Sequence, residues 1–173
     1  MKKILLPILL IGGVVSFGNV VLASDGTIHF KGNIINEACT VDTNSKNQTV
    51  ILGDIAAASF SAAGDKSTPT KFTINVTDCP ATVKQIAFKF DGINDSDNTK
   101  LLKLDSGMTA TKVGIEISDS NGVPIDLHTS SPKYNVAADG SASLEFIGRY
   151  VATAATVGAG TADGTSEFTI NYQ

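Results

Sequence analysis

The last nine residues of the chain, 165–173, alternate between apolar and polar side chains. Phe168, Ile170 and Tyr172 share one face of this segment, which is the two-residue period of a half-buried β-strand. Chain ends usually fray unless neighbouring segments hold them. We therefore expect the C-terminal strand to have a neighbour on each side. One neighbour can come from its own sheet, and the source of the second bears on function.

Residues 27–36 show the same period near the other end of the chain. Ile28, Phe30, Gly32 and Ile34 share one face, and polar residues occupy the other. An edge strand with an apolar face is a hazard unless it is covered or paired. The pattern therefore predicts a strand at both ends of the domain.

Short apolar or alternating segments between turn residues predict an all-β domain with little helix. The remaining candidate strands are residues 38–42, 48–52, 70–77, 83–90, 100–104, 112–118, 123–128 and 142–152. Asn121-Gly122 is the strongest hairpin signal, and residues 56–63 form the one plausible helix, of one or two turns. Many short strands in one small domain predict a β-sandwich.

The first 23 residues have the features of a secretory signal peptide. Lys2 and Lys3 form a basic start, an apolar stretch follows, and a small-residue site ends at Ala23. Cleavage there would leave residues 24–173, the size of one domain. No later stretch is long and apolar enough to span a bilayer, so the cleaved chain would not insert into a membrane.

The charge of the chain excludes some classes of partner. Its formal net charge is −4 at pH 7 and it has no tryptophan, and removal of the signal lysines makes it more acidic. Nucleic acid and anionic membrane surfaces are therefore poor partners.

Cys39 and Cys79 are the only cysteines. In an exported protein a single disulfide is the economical interpretation, and at this separation it would stabilise the fold by roughly 4 kcal/mol. Two thiols do not make a zinc site, and there is no C-x-x-C redox pair.

No group of residues predicts catalysis, a cofactor or a metal. The two histidines, His29 and His128, are far apart in the sequence, and no serine has the surroundings of a nucleophile elbow. Residues 158–164 are glycine-rich but lack the ending of a phosphate loop and lead into a strand. The acidic segment 91–97 does not fit a helix-flanked calcium loop. A secreted hydrolase is therefore disfavoured.

Five motifs resemble those of one family over the whole mature chain. They are HFKGNIINEACTVD at 29–42, QTVILGDI at 48–55, FTINVTDCP at 72–80, FIGRYVATAATVGAG at 146–160 and EFTINYQ at 167–173. Gly160, at the fourteenth position from the end, and Tyr172, at the penultimate position, also match. The chain resembles a chaperone–usher pilin, specifically a type 1-like fimbrial subunit of Gram-negative bacteria.

The resemblance implies an incomplete immunoglobulin-like β-sandwich that lacks its last strand, completed by a donor strand from another chain. Residues 24–37 would be the donor-strand extension, overlapping the start of the fold, and residues 38–173 the pilin domain. Donor side chains would be those of Ile28, Phe30, Gly32 and Ile34. The acceptor groove and chaperone recognition would involve Gly160, Phe168, Ile170, Tyr172 and Gln173.

The resemblance also implies the partners and the location. A periplasmic chaperone would first lend a strand, an outer-membrane usher would assemble the fibre, and neighbouring pilins would polymerise head to tail in a cell-surface fimbria that supports adhesion. The alternatives are a carbohydrate-binding tip adhesin or a minor adaptor subunit. Adhesins of the family carry a separate receptor-binding domain and lack a free donor strand. Only Ser24 and Asp25 precede Gly26 in the mature chain, which leaves a major shaft subunit and a minor adaptor both open.

Overall fold

The computed structural model describes residues 25–32, 34 and 38–173. The chain divides into two units, residues 1–34 and residues 35–173. The predicted signal peptide, residues 1–23, lies outside the described residues. Within the part of the chain that is described, no helix is long and apolar enough to cross a membrane.

In the first unit, the described residues of the predicted strand 27–36 form no strand. A strand exists only where a neighbour pairs its backbone groups. The apolar side chains of this segment are open to solvent: Ile28 is 79% exposed, Phe30 92% and Ile34 101%.

The second unit contains two antiparallel sheets. The strands are β1 (Thr40–Val41), β2 (Thr70–Thr77), β3 (Gln85–Asp91), β4 (Val113–Asp119), β5 (Tyr134–Asn135), β6 (Ala142–Ala152) and β7 (Glu167–Tyr172). One sheet has the order β1-β2-β6-β4 and the other β5-β3-β7. A short helix, α1 (Thr43–Lys46), and a 3₁₀ turn (Ala57–Ser59) complete the elements. The predicted all-β sandwich is confirmed.

Aromatic side chains from both sheets form the centre of the core. Phe88 on β3 and Phe146 on β6 are fully buried, with ring centroids 5.3 Å apart, and Phe90 lies 5.2 Å from Phe146. Edge-to-face rings at this separation add to the stabilisation that burial alone provides. The predicted disulfide is also confirmed, because Cys39 and Cys79 are bonded, with Cα atoms 4.1 Å apart.

The predictions for β2 and β6 match the structure residue for residue, and those for β3 and β4 are displaced by one or two residues. Three predicted strands are wrong, since residues 48–52, 100–104 and 123–128 form no strand. Two of these segments instead lie along the edge of β4, at the isolated pairs Leu102–Ile115 and Pro124–Ser118. Their apolar character reflects burial against that edge rather than membership of a ladder.

Smaller differences have local causes. The residues predicted as a helix, 56–63, contain only the 3₁₀ turn. Helix α1 was not predicted; the Asp42 carboxylate begins it by accepting a hydrogen bond from the Asn44 N–H at 2.9 Å. The predicted turn at Asn121-Gly122 is confirmed, and Gly122 has the positive φ of 78° that favours glycine.

Candidate functional site: the open edge of the last strand

The sandwich has four sheet edges, and three of them are short or covered. Strands β1 and β5 have two residues each, so they offer little backbone to pair with. Strand β4 is long, but all seven of its residues are buried. Along its outer side Leu102 and Ile115 exchange backbone hydrogen bonds of 2.8 and 2.9 Å, and the Asp119 N–H donates to the Val123 carbonyl at 3.0 Å.

The fourth edge, β7, is six residues long and pairs with β3 alone. Within residues 38–173, no backbone hydrogen bond joins its other side to another segment. Its side chains alternate between exposed and half-buried, which confirms the predicted period. Phe168, Ile170 and Tyr172 pack against the core cluster, and the Phe168 ring lies 5.9 Å from the Phe88 ring.

Residues that hydrogen bond to β3 alternate along β7 with residues whose backbone groups face outward. Gln85 and Gln173 exchange two backbone bonds, of 2.9 and 2.8 Å. Because bonded and non-bonded pairs alternate in an antiparallel ladder, Thr169 and Asn171 also bond to β3. The N–H and C=O groups of Phe168, Ile170 and Tyr172 point away from β3. These three residues therefore combine inward apolar side chains with outward backbone groups that no residue of 38–173 pairs with.

A second segment with the same character contacts the core. Residues 48–52 form no strand, yet Val50 and Leu52 are half-buried and Ile51 is 73% exposed. A Cβ placed on Gly148 of β6 would lie 3.4 Å from Leu52 and 3.9 Å from Val50, so this segment lies against the inner face of that strand. Among the described residues, β7 thus pairs on one side only, and the apolar segment 48–52 packs on the core without pairing in a ladder.

The sequence and the fold both match one family of known proteins. A family model described as "Fimbrial protein" matches residues 28–173. A type-1 fimbrial protein A chain from Salmonella typhi is 42% identical over 160 residues, covering 88% of this chain and 85% of the relative. The chain belongs to the fimbrial protein family.

Solved structures of pilins agree with the fold of this fimbrial subunit. A type I fimbria protein from Burkholderia pseudomallei has a TM-score of 0.62 at 31% identity, over 80% of this chain and 91% of that one. The P pilus rod subunit PapA has a TM-score of 0.64 at 18% identity, over 79% of this chain and all of the other. At that identity the likeness to PapA shows the fold alone, which is the immunoglobulin-like sandwich of the pilins. The family is one of structural proteins of surface fimbriae.

The residues that the sequence assigned to the site occupy three places in the fimbrial subunit. Phe168, Ile170 and Tyr172 lie together on β7. The main-chain oxygen of Gln173 accepts hydrogen bonds of 2.9 Å from the N–H groups of Lys84 and Gln85. Ile28, Phe30, Gly32 and Ile34 belong to the first unit and are exposed.

Gly160 does not lie on β7 but in the loop that precedes it. A Cβ at this position would overlap the backbone of Thr109 and Ala110, so glycine lets the loop lie directly against residues 109–110. Thr109 donates its N–H to the Thr161 carbonyl at 3.2 Å. Gly160 therefore holds the loop in place ahead of the strand.

Tyr172 marks the end of β7. Burial raises the pKa of its hydroxyl, and a hydrogen bond from the backbone of Cys39 opposes that rise. This contact places the end of β7 beside the disulfide bond, which fixes the position of Cys39.

Sequence reasoning missed a charged cluster at the covered edge. The Glu116 carboxylate on β4 contacts Lys66 Nζ at 2.8 Å and an Arg149 Nη at 2.6 Å, and it accepts a hydrogen bond from Ser118. Burial by itself would raise the pKa of Glu116, but the hydrogen bonds from Lys66 and Arg149 outweigh it and the pKa is lowered. Its partners lie far away in sequence, so no local pattern could have found the cluster.

The sequence also missed the contacts of His128, a residue with a positive φ of 63°. Its ring nitrogens lie 2.9 Å from the Asp91 carboxylate and 3.0 Å from the Asn94 side-chain oxygen. Nearby, Asp97 pairs with Lys112 at 3.0 Å and Asp95 accepts backbone N–H groups of its own loop. Among the described residues, no cluster of three or more candidate ligands could hold a metal ion.

Proposed function

We propose that this fimbrial subunit polymerises by donor-strand exchange, in which the extension 24–37 of one subunit adds to the open edge of β7 in the next. The observation that carries the proposal is that edge. Phe168, Ile170 and Tyr172 present outward N–H and C=O groups that no residue of 38–173 pairs with, while their side chains line the core. Strand addition uses such an edge, since main-chain hydrogen bonds supply affinity and alternate side chains supply specificity; pilins are a known example of this mode.

The extension has the complementary pattern. Ile28, Phe30 and Ile34 are almost fully exposed, and burial of each would contribute roughly 1.5–3 kcal/mol. Ordering the segment costs roughly 1–2 kcal/mol per residue, so the net affinity is far below the gross sum. Persistence of the fibre would then come from the slow release of a whole strand.

The donor and acceptor surfaces are different parts of the chain, so the assembly is head to tail and open. Before assembly, a periplasmic chaperone would cover the β7 edge, because an uncovered apolar edge promotes aggregation. An outer-membrane usher would then exchange the chaperone strand for the extension of the next subunit. The subunit is exported through the periplasm and displayed in a surface fimbria that supports adhesion.

Deletion of residues 24–36 tests the donor role. The deleted subunit should still accumulate with its chaperone but should not form the heat- and detergent-resistant ladder of a fibre on gels. Phe30→Asp should block ladder formation too, because it places a charge where the edge requires an apolar side chain. The matched control is Thr27→Asp, on the opposite face, which should polymerise. A normal ladder from the deleted subunit would refute the proposal.

A further inference from the structure

Glu167, the first residue of β7, is an exposed carboxylate placed against a like charge. The β3–β7 register sets it directly opposite Asp91. Like charges directly opposite each other in an antiparallel pair are unfavourable. Among the residues that the structure describes, none forms an ion pair with Glu167.

Two basic groups near this corner, His128 and Lys89, are engaged by Asp91. His128 Nδ1 lies 2.9 Å and Lys89 Nζ lies 3.0 Å from its carboxylate. The hydrogen bonds from His128 and then Lys89 lower the pKa of Asp91, so the group is ionised at neutral pH. Glu167 therefore lies beside a second negative charge, at the point where the open edge begins.

The extension carries the basic side chain of Lys31 on its polar face. His29 and Lys31 are exposed and alternate with the apolar donor side chains. Neither takes part in an ion pair with another described residue. When the apolar face of the extension turns toward the core, these two side chains must turn toward the face that Glu167 occupies.

We propose that Lys31 of the incoming extension pairs with Glu167 of the accepting subunit, and that this contact, together with the apolar side chains, sets the register of the added strand. The inference rests on the proposed donor-strand exchange. Every strand pair in the described part of the chain is antiparallel. The added extension is therefore placed antiparallel to β7 as well. With Gly32 opposite Phe168, Lys31 lies opposite Thr169 and diagonal to Glu167, a separation that a long side chain spans.

Side-chain volumes favour the same register. The three inward pairs become Ile28 with Tyr172, Phe30 with Ile170, and Gly32 with Phe168, so each aromatic ring meets a smaller side chain. A slip of two residues in one direction would place Phe30 opposite Tyr172 and would move Lys31 out of reach of Glu167. A slip of two in the other direction would keep Lys31 beside Glu167 but would place Phe30 opposite Phe168, ring against ring. Because a slip by two keeps the same faces inward, the charge pair disfavours the first slip and the side-chain volumes disfavour the second.

A charge exchange tests the pairing in the full mature chain purified from the periplasm. Lys31→Glu and Glu167→Lys each create a like-charge contact between subunits, and each should slow ladder formation about three- to tenfold. The double variant restores an opposite-charge pair and should polymerise within about twofold of the original rate. The differences should shrink as salt is raised, because exposed charges are screened. The matched control is Lys133→Glu, next to β5 at the opposite edge of the sheet, which should polymerise at the original rate.

Two results would overturn the pairing: single variants that polymerise as fast as the original chain, or a double variant no faster than the singles. The deletion of residues 24–36 is measured alongside. If that deletion abolishes the ladder while all the charge variants form it at the rate of the original chain, the pairing is wrong and the donor-strand proposal stands. If the deleted chain forms a normal ladder, the donor-strand proposal itself is wrong.

Discussion

The two long edge strands of the sandwich, β4 and β7, differ in how far other segments cover them. Every residue of β4 is buried, and the segments around Leu102 and Val123 hydrogen bond to its outer side. Strand β7 alternates between exposed and half-buried residues and has no such cover within residues 38–173. Natural sheets usually protect long edges, so an unprotected edge in a protein that protects its other long edge indicates a surface used for pairing.

The two edges also differ in their glutamates: the one on β4 has ion-pair partners, and the one on β7 has none among the described residues. Glu116 on β4 has Lys66, Arg149 and Ser118 as partners within its own chain. Glu167 on β7 faces Asp91 and forms no ion pair with another described residue. The first edge is covered within its own chain, and under the proposed strand addition the second would be covered by backbone groups, apolar side chains and a lysine from another subunit.

Amide hydrogen exchange of the unpolymerised subunit should show the largest difference. On β7 the N–H groups of Phe168 and Ile170 should exchange at least about a thousandfold faster than that of Thr169, because only the latter bonds to β3. On β4 the edge-facing amides of Ile115 and Asp119 should be slow, since Leu102 and Val123 cover them. Equal protection of Phe168 and Thr169 in the subunit would contradict the assignment of an open edge. In the fibre all these amides should become slow.

Truncating one isoleucine on each edge should lower the free energy of unfolding of the subunit by different amounts. Ile117→Ala on the buried strand β4 should lower the free energy of unfolding of the subunit by about 2–5 kcal/mol. Ile170→Ala on β7 should lower it by only about 1 kcal/mol, because that side chain is half-exposed in the subunit. Denaturant unfolding measures both. Polymerisation should show the reverse order, with Ile170→Ala the more severe; equal losses of subunit stability would remove the distinction.

Neutralising one glutamate on each edge tests the difference between their ionic groups, and the smallest effect is expected at Glu167. Glu116→Gln leaves Lys66 and Arg149 without their carboxylate and should cost about 2 kcal/mol. Glu167→Gln should change the stability of the subunit by less than about 0.5 kcal/mol.

Acid titration sharpens this pair of variants. Because the pKa of Glu116 lies below its ordinary value of 4.5, its contribution is fully present above that pH. It is lost as the pH falls through the lowered pKa of the folded state. Unfolding measured between neutral pH and about pH 3 should therefore show less acid sensitivity in Glu116→Gln than in Glu167→Gln. Identical acid profiles would mean that the cluster does not stabilise the fold through its charge.

The sequence predicted most of the strands for a simple physical reason. In β2 and β7 the residues of one face are more buried than those of the other, so the sequence shows a two-residue alternation. It failed at residues 100–104 and 123–128, where apolar side chains are buried without a ladder, because hydrophobicity reports burial and not hydrogen bonding. It also failed at β5, where two residues are too few to show a period.

For the site, the sequence alone identified the inward residues of β7 and the disulfide cysteines, because local periodicity and composition encode them. The donor face of the extension stays a prediction. Only the tertiary structure decided that β4 is covered and β7 is open, and which backbone groups point outward from it. It alone placed Gly160 against residues 109–110, Glu116 among its cations and Glu167 opposite Asp91. These features depend on which distant segments meet, and strand order and register are fixed by packing across the whole chain rather than by any local pattern.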